Sequence, residues 1–211
     1  MHESDRRYRD LYNRIARFYD WSGRVWSLLR GFSDTGERRK MVGRLELKPD
    51  QRMLEVSVGT GSNLPLAAEG VGPGGRLVGL DISIGMLRQC QKKLKPQRLR
   101  GDLIEGEAAH LPFPGRAFDA VLHFGGINTF GDKKQAMDEM MRVARSGARI
   151  VISDEGLGPG ARESLRNRLL QRLNPLYAHE PPTDLIPSEA QDLHLTWFRA
   201  DGCYLIDFVN P

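Results

Sequence analysis

The segment LEVSVGTGSNL, residues 54–64, joins a short apolar run to a stretch with helical spacing of apolar residues. Gly59 and Gly61 stand at the junction, where a residue without a Cβ lets the backbone turn sharply and lets a ligand approach the main chain. Asp81 ends the next apolar run, 20 residues after Gly61. Because a carboxylate at that place can accept both hydroxyl hydrogens of an adenosine ribose, the spacing predicts a site for an adenosine-containing cofactor.

Short apolar runs rich in β-branched residues alternate with longer helical patterns on both sides of this segment. The alternation indicates βαβ units around a parallel sheet that is buried on both faces. The predicted strands are residues 53–58, 76–80, 102–104, 118–124 and 148–153. The predicted helices between them are residues 62–69, 84–94 and 133–145, with Asp132 as the N-cap of the last one.

The chain changes character after the fifth predicted strand. A polar helix at residues 161–173 and a proline-rich loop precede two further strand patterns, at 193–199 and 203–209. The segment ADG, residues 200–202, carries a turn signal, so we predict an antiparallel hairpin at the edge of the sheet. The predicted fold class is α/β, with a seven-stranded mixed sheet made of five parallel strands plus this hairpin, and with helices on both faces.

The length of 211 residues suits one domain, since domains average roughly 100 to 200 residues. A hydrophobic content of 40% with 27% charged residues excludes wholesale disorder, because a core of normal size can be built. Within the single domain 1–211 we predict an N-terminal helical lid over residues 1–45 and a cofactor-binding core over 46–155. A substrate loop and the C-terminal hairpin fill residues 156–211.

An amphipathic helix is predicted ahead of the first strand, because apolar residues recur there at helical spacing with arginines interleaved. The apolar set is Tyr8, Leu11, Tyr12, Ile15, Phe18 and Tyr19, and the basic set is Arg7, Arg9, Arg14 and Arg17. Three interpretations stay open at this point: a helix that packs on the domain, a lid over a substrate, and attachment to a membrane surface.

Charge and cysteine content limit the binding partners, the metal sites and the cellular location that can be expected. A net charge of +4 permits anionic partners without requiring them. Cys90 and Cys203 are far apart and form neither a disulfide framework nor a metal-binding pattern, so we predict no metal site and a cytoplasmic location. The charged N-terminal segment and the lack of about 18 consecutive apolar residues predict neither a signal peptide nor a membrane span, and leave peripheral membrane contact open.

Two classes of cofactor share the geometry of the glycine-rich turn. A dinucleotide site normally has a third glycine, for close packing of helix and strand, where this chain has Leu64. Glu55, just before the turn, would repel a pyrophosphate and favour a cationic ligand. S-adenosylmethionine has no phosphate and carries a cationic amino group and a sulfonium. The residues therefore suit this cofactor better than a dinucleotide.

Six segments, taken in their order along the chain, resemble the motifs of a known family. They are FYDW (18–21), LEVSVGTGSNL (54–64), VGLDIS (78–83), EGEAAHLPFP (105–114), FDAVLHFGGINTF (118–130) and DEMMRVARSGARIVISDE (138–155). Together they resemble the class I S-adenosylmethionine-dependent methyltransferases, in particular the branch with the ubiquinone and menaquinone C-methyltransferases, known as methyltransferase type 11. The resemblance covers roughly residues 8–155 and implies a Rossmann-like fold with S-adenosylmethionine as cofactor.

The resemblance also implies roles for the matched residues. The implied cofactor-binding residues are Glu55, Ser57, Gly59, Thr60, Gly61, Asp81, Ile82, Met86, Glu107, Ala108, His123 and Phe124. Asp81 would hold the ribose and Glu107 the adenine amino group, while His123 and Phe124 would face the sulfonium and the substrate. Tyr19 would help the N-terminal helix close over the cofactor. His123 and Tyr19 are the candidates for a catalytic role, although a histidine in such a place is more often a hydrogen-bonded residue of the pocket than a base.

Two positions depart from the family pattern. Ser57 replaces the usual glycine of the first motif, and a serine fits there if its φ is negative. Arg145, Ser146 and Gly147 replace a more typical Lys-Pro-Gly-Gly turn. We expect cofactor binding to survive both changes.

The predicted function is transfer of a methyl group to a hydrophobic small molecule, at a nitrogen, oxygen or carbon nucleophile. The aromatic N-terminal helix and the proline-rich loop after residue 173 suggest the apolar acceptor. Alternatives are N-methylation of phosphatidylethanolamine at a membrane surface, a non-catalytic cofactor-binding partner protein, and an NAD-dependent oxidoreductase. Nucleic acid is disfavoured as a substrate, because the end of the fourth strand and the residues after it read HFGGIN (123–128) rather than an Asn/Asp-Pro-Pro-aromatic segment. The oligomeric state is left unpredicted.

Overall fold

A seven-stranded sheet forms the centre of the computed structural model, which describes residues 2–31, 33–97, 99, 101–161, 164–199 and 201–211. The strands are β1 (Arg52–Val56), β2 (Arg76–Asp81), β3 (Gly101–Glu105), β4 (Phe118–Phe124), β5 (Ala144–Glu155), β6 (Gln191–Phe198) and β7 (Cys203–Val209). Their order across the sheet is β3-β2-β1-β4-β5-β7-β6. Strands β1 to β5 pair in parallel, and β7 lies antiparallel between β5 and β6. The predicted fold class is confirmed.

Six α-helices accompany the sheet in the described part of the chain. They are α1 (Glu3–Arg30), α2 (Asp34–Gly43), α3 (Leu64–Val71), α4 (Ile84–Leu94), α5 (Lys133–Val143) and α6 (Leu165–Leu173). The predicted N-cap is confirmed, since the Asp132 side chain accepts a hydrogen bond from the backbone of Gln135. Ser83 caps α4 in the same way through Met86. Within the described ranges, none of these helices is long and apolar enough to cross a bilayer.

The two faces of the sheet carry separate cores, as the alternation of side chains along a strand requires. Leu54 and Val56 of β1 pack on the side of α5, in one cluster with Met137. Met53 points to the other face and packs with Leu64 of α3 and other residues of α2 to α4. Helices therefore cover both faces, and the carboxyl ends of the parallel strands open toward one edge.

Several predicted boundaries were wrong by a few residues. Strand β1 ends at Val56 rather than at residue 58, because the chain reverses into the glycine-rich turn there. Helix α5 ends at Val143 instead of residue 145, since Ala144 already pairs with Phe118 as part of β5. Helix α2 was not predicted as a separate element. Ala200 of the predicted turn and residues 162 and 163 of the predicted polar helix lie outside the described residues.

Candidate cofactor and acceptor site

The carboxyl ends of β1, β2 and β4 open into one cleft, and the space free of protein atoms in it, counted together with its solvent-open mouth, is about 960 Å³. Helix α1 forms its opposite wall, through Tyr8, Tyr12 and Tyr19. The cleft lies where β1 and β4 adjoin while their connections run to opposite sides, which is the place where open α/β sheets bind ligands.

Most residues that the resemblance assigned to the cofactor meet at this cleft. Those that line it are Glu55, Ser57, Gly59, Thr60, Asp81, Ile82, Met86, Glu107, Ala108 and Phe124, joined by Tyr19. Gly61 and His123 do not line it. The cleft also includes residues that were not predicted, among them Asp5, Arg38, Asn63 and Phe130.

Asp81 lies at the end of β2 with its carboxylate almost buried. One oxygen accepts a hydrogen bond from the backbone of Gly59 at 2.8 Å, and the other accepts one from Ser83 at 2.9 Å. Burial raises the pKa of Asp81 to about 6. The carboxylate thus ties the glycine-rich turn to the start of α4, and each oxygen keeps a lone pair for a ligand hydroxyl.

Glu55 is 1% exposed and lies on β1 at the floor of the cleft. One of its carboxyl oxygens accepts a hydrogen bond from the Asn63 side chain at 2.6 Å. The other oxygen, Oε2, has no hydrogen-bond partner among the described residues. Burial raises the pKa of Glu55 to about 8. A buried carboxyl oxygen without a partner, facing a cleft, fits a ligand that brings a hydrogen-bond donor or a positive charge.

Asn63 and Arg38 extend this arrangement, and sequence reasoning missed both. The Arg38 guanidinium donates to the side-chain oxygen of Asn63 at 2.9 Å, so the amide connects an arginine to Glu55. Asn63 directly precedes α3, which is the one sequence signal that could have drawn attention to it. Nothing in the pattern around Arg38 distinguishes it from the other basic residues of α2.

The absence of a side chain has a different structural role at Gly59 and at Gly61. Both have a positive φ, of 55° and 74°. A Cβ on Gly59 would meet no atom within 4 Å, whereas a Cβ on Gly61 would lie 2.3 Å from Sγ of Cys90 in α4. Gly61 therefore allows close packing of the turn on α4 and does not leave room for a ligand, which corrects its predicted place in the pocket.

Ser57 adopts a φ of 59°, so the condition of a negative φ is not met. The left-handed region costs a residue with a side chain roughly 1 to 2 kcal/mol. The tight reversal after β1 imposes this conformation, which explains why glycine is more typical at the position. Ser57 nevertheless lines the cleft.

His123 lies beneath the cleft and not in it. It is fully buried, its Nε2 accepts a hydrogen bond from the backbone of Ile127 at 3.0 Å, and its Nδ1 lies 3.1 Å from the carbonyl oxygen of Val56. Nδ1 therefore carries the proton and donates it to Val56. Burial lowers the pKa of His123 to about 4. With both nitrogens engaged by the backbone, the predicted orientation toward a sulfonium and the role of proton acceptor are not supported.

Helix α1 is held over the cleft at three points along one face. Asp5 accepts a hydrogen bond from the backbone of Gly131 at 2.9 Å, in the loop between β4 and α5. Asn13 accepts from Ser83 and from the backbone of Gly85, both at 2.8 Å. These contacts join the helix to two of the loops that surround the cleft.

The third point of attachment is Asp20. It accepts a hydrogen bond from the Thr60 hydroxyl at 2.5 Å and pairs with Lys93 of α4 at 2.7 Å. Lys93 also donates to Ser62 at 2.8 Å, so the end of the glycine-rich turn, α4 and α1 share one polar cluster. Together with Asp5 and Asn13, this cluster fixes α1 across the cleft.

Three tyrosines of α1 line the cleft. The ring centroids of Tyr8 and Tyr12 are 6.4 Å apart, and those of Tyr12 and Tyr19 are 6.0 Å apart. Burial raises the pKa of Tyr12 and raises that of Tyr19 to about 12. Both phenols are therefore protonated near neutral pH and supply apolar surface and hydroxyl groups, not a base.

Phe124 ends β4 at the cleft and is contacted by two arginines. The guanidinium carbons of Arg38 and Arg199 lie 4.7 Å and 4.6 Å from its ring centroid. Asp34 of α2 binds both arginines. The β6–β7 turn is thereby joined to α2 next to the cleft, a contact between distant segments that no local pattern predicts.

Comparison with known proteins agrees with this geometry. Residues 54–152 match the model of a family described as "Methyltransferase domain". A demethylmenaquinone methyltransferase of Desulfitobacterium hafniense is 34% identical over 148 residues, which is 69% of this chain and 57% of the relative. One of Thermus thermophilus is 34% identical over 142 residues, or 67% of this chain and 63% of the relative. The aligned region is thus less than two thirds of the length of these relatives.

Solved structures show the same fold. Phosphoethanolamine N-methyltransferase 2 of Haemonchus contortus, solved with S-adenosyl-L-methionine, superposes with a TM-score of 0.69 at 17% identity, over 83% of this chain and 52% of that one. A SAM-dependent methyltransferase from Aquifex aeolicus superposes with a TM-score of 0.61 at 17% identity, over 83% and 90% of the two chains. The topology of the sheet, the residues that line the cleft and the sequence matches all indicate a methyltransferase domain. Residues 54–152 of this chain belong to this methyltransferase domain family.

Proposed function

We propose that the protein transfers a methyl group from S-adenosylmethionine to a hydrophobic small molecule, and that a demethylated menaquinone is the acceptor to test first. The observation that carries the proposal is the single cleft that joins Asp81, Glu55 and Gly59 to the aromatic inner face of α1. The names of the relatives from Desulfitobacterium hafniense and Thermus thermophilus support the choice of acceptor.

The residues present fit the cofactor. Asp81 would accept the two ribose hydroxyls, and its bonds to Gly59 and Ser83 already orient its oxygens. The unpartnered oxygen of Glu55 would meet the cationic amino group of the methionine part. Gly59, whose missing side chain leaves open space, lets the backbone lie against the ligand. Glu107, Ala108, Ile82 and Met86 supply the wall expected around the adenine.

When bound, S-adenosylmethionine supplies a methyl carbon that its sulfonium already activates. The remaining task of the protein is to align the acceptor with that carbon and to exclude water, and alignment alone can contribute roughly 7 to 11 kcal/mol in favourable cases. Tyr8, Tyr12 and Phe130 would exclude water from the acceptor side. His123 would keep the end of β4 in place through its two backbone hydrogen bonds.

The test of the function is transfer of labelled methyl from S-adenosylmethionine by the purified chain. The acceptors to compare are a demethylated menaquinone in detergent, phosphatidylethanolamine vesicles and free phosphoethanolamine. We expect label in the quinone with S-adenosylhomocysteine as coproduct. Label confined to the polar or phospholipid acceptor would overturn the choice of acceptor, and S-adenosylhomocysteine binding without any transfer would favour a non-catalytic partner protein. Isotherms with NAD in place of the cofactor test the oxidoreductase alternative.

Glu55 makes cofactor binding dependent on pH. At neutral pH the free protein holds Glu55 mostly protonated, because its pKa is raised to about 8. A cationic amino group next to the carboxyl favours the ionised form, so binding lowers this pKa and releases a proton. Affinity for S-adenosylhomocysteine should therefore rise with pH, by up to about tenfold per pH unit between pH 6 and pH 7.5.

Calorimetry in two buffers of different ionisation enthalpy measures the released proton directly. The control variant is Glu55→Gln, which keeps the shape and the contact with Asn63 but cannot ionise. We expect proton release to disappear in this variant over the same pH range. The pH range ends at 7.5 because α-amino groups titrate near pH 7.7 to 8.0. Above that range, the amino group of the ligand would itself contribute to the measured proton exchange. Equal proton release by both proteins would show that Glu55 does not contact the amino group of the cofactor.

A further inference from the structure

The outer face of α1 is the most apolar exposed surface of any helix in the described part of the chain. Its exposed large side chains are Leu11, Phe18, Trp21, Val25 and Leu28, with Phe18 and Trp21 both 67% exposed and Leu28 81% exposed. Spacings of three and four residues place them along one line of the helix. This line, which we name the outer stripe, lies on the side of the helix away from Asp5, Asn13 and Asp20, which hold α1 to the loops around the cleft.

Arginines lie on the same side of the helix as the outer stripe. Arg7, Arg14, Arg17 and Arg24 are exposed there, while the acidic residues on this side are Glu3 and Asp10, and Asp10 pairs with Arg9 at 3.0 Å. The combination of large apolar side chains, a tryptophan and an excess of arginine is typical of helices that lie in the interface of an anionic bilayer.

The position of two arginines decides between a lipid surface and a second copy of the chain. Residues 7, 11, 14, 18, 21, 25 and 28 follow one another at steps of four and three, so Arg7 and Arg14 belong to the outer stripe itself. Pairing two such stripes would bury guanidinium groups among apolar side chains, which is costly without acidic partners. At a bilayer the same arginines reach lipid phosphates while the apolar side chains enter the acyl region.

From this charge complementarity we propose that the outer stripe of α1 docks the protein on an anionic lipid surface. Docking itself does not depend on methyl transfer. Its consequence for the acceptor rests on the proposed function: since the inner face of the same helix lines the cleft, the docked protein holds the cleft next to the bilayer, where a hydrophobic acceptor dissolves.

The test is sedimentation of the full chain with vesicles of phosphatidylcholine alone or with about 30% phosphatidylglycerol. The variant combines Phe18→Asp with Trp21→Asp, two residues with no place in the cleft. The matched control combines Leu193→Asp with Leu195→Asp on β6, which are also exposed and give the same change of charge. Unchanged S-adenosylhomocysteine affinity in both proteins shows that they are folded, and is measured separately from vesicle binding.

We expect the wild type and the β6 control to bind the anionic vesicles, and the α1 variant to bind at least about tenfold more weakly. Binding of the wild type should fall in high salt, since part of it is electrostatic. Equal binding by all three proteins, or no preference for the anionic vesicles, would overturn the proposal. A wild-type dimer that the α1 variant converts to a monomer, without vesicle binding, would assign the stripe to a second copy. Failure of docking with intact cofactor binding leaves the proposed function standing.

Discussion

Replacing Asp81 with alanine is expected to weaken S-adenosylhomocysteine binding by about 1.5 to 3 kcal/mol, roughly 10- to 150-fold. Hydrogen bonds to a charged group have this strength, and the variant would lose those that we propose to both ribose hydroxyls. It also removes the acceptor of the Gly59 and Ser83 backbone hydrogen bonds, so the turn that contacts the ligand loses its support. Calorimetric titration measures the affinity, and chemical denaturation measures the accompanying loss of stability.

Asp119 offers a matched control for this experiment. Its carboxylate also accepts a backbone hydrogen bond, from Arg52 at 2.8 Å, and pairs with Arg145, but it does not line the cleft. We expect Asp119→Ala to lower stability and to leave cofactor affinity unchanged. The variant Asp81→Asn keeps the size of the side chain and should fall between wild type and Asp81→Ala. Unchanged affinity in Asp81→Ala would remove this residue from the site.

The second large effect is expected at Gly61, where alanine should destabilise the fold by about 2 to 4 kcal/mol. One part of the loss comes from a positive φ of 74°, and the other from a Cβ that would lie 2.3 Å from Sγ of Cys90. For a chain of this size we expect a decrease in Tm of roughly 5 to 15 °C. Thermal and denaturant unfolding of the purified protein check the value.

Two further variants separate the backbone strain from the packing clash. Gly59→Ala has a φ of 55° but open space around the new Cβ, so it should show only the smaller, conformational loss. Cys90→Ala removes the sulfur atom, and we expect it to recover part of the stability of Gly61→Ala when the two are combined. Simple additivity of the two changes would contradict the packing explanation, because residues in contact should couple.

Much of the fold was predictable because the responsible signals are local. A strand that is buried on both faces has to be apolar along its length, so β1, β2 and β4 stand out in any window of the sequence. The places of Gly59 and Asp81 were predictable for a related reason. The carboxyl ends of parallel strands meet at one edge, so a turn glycine after β1 and an acid at the end of β2 must come together.

His123 shows where this reasoning stops. A histidine near the end of β4 has a predictable depth in the sheet, but the atoms around its ring belong to β1 and to the loop after β4. Only the pairing of these segments decides whether the ring enters the cleft or lies below it. The backbone partners on both nitrogens, and the burial that lowers its pKa to about 4, follow from that pairing.

The sequence by itself determined the layered α/β fold, the glycine-rich turn, the acid at the end of β2 and the family of the central region. Tertiary structure alone decided that Gly61 serves packing, that Ser57 takes a positive φ, and that α1 forms one wall of the cleft. Asp5, Asn13 and Asp20 read as ordinary polar positions of a surface helix, and their partners are 126, 70 and 40 residues away. A hydrogen bond between such distant residues forms only in the assembled fold, so the spacing of residues along the helix does not predict it.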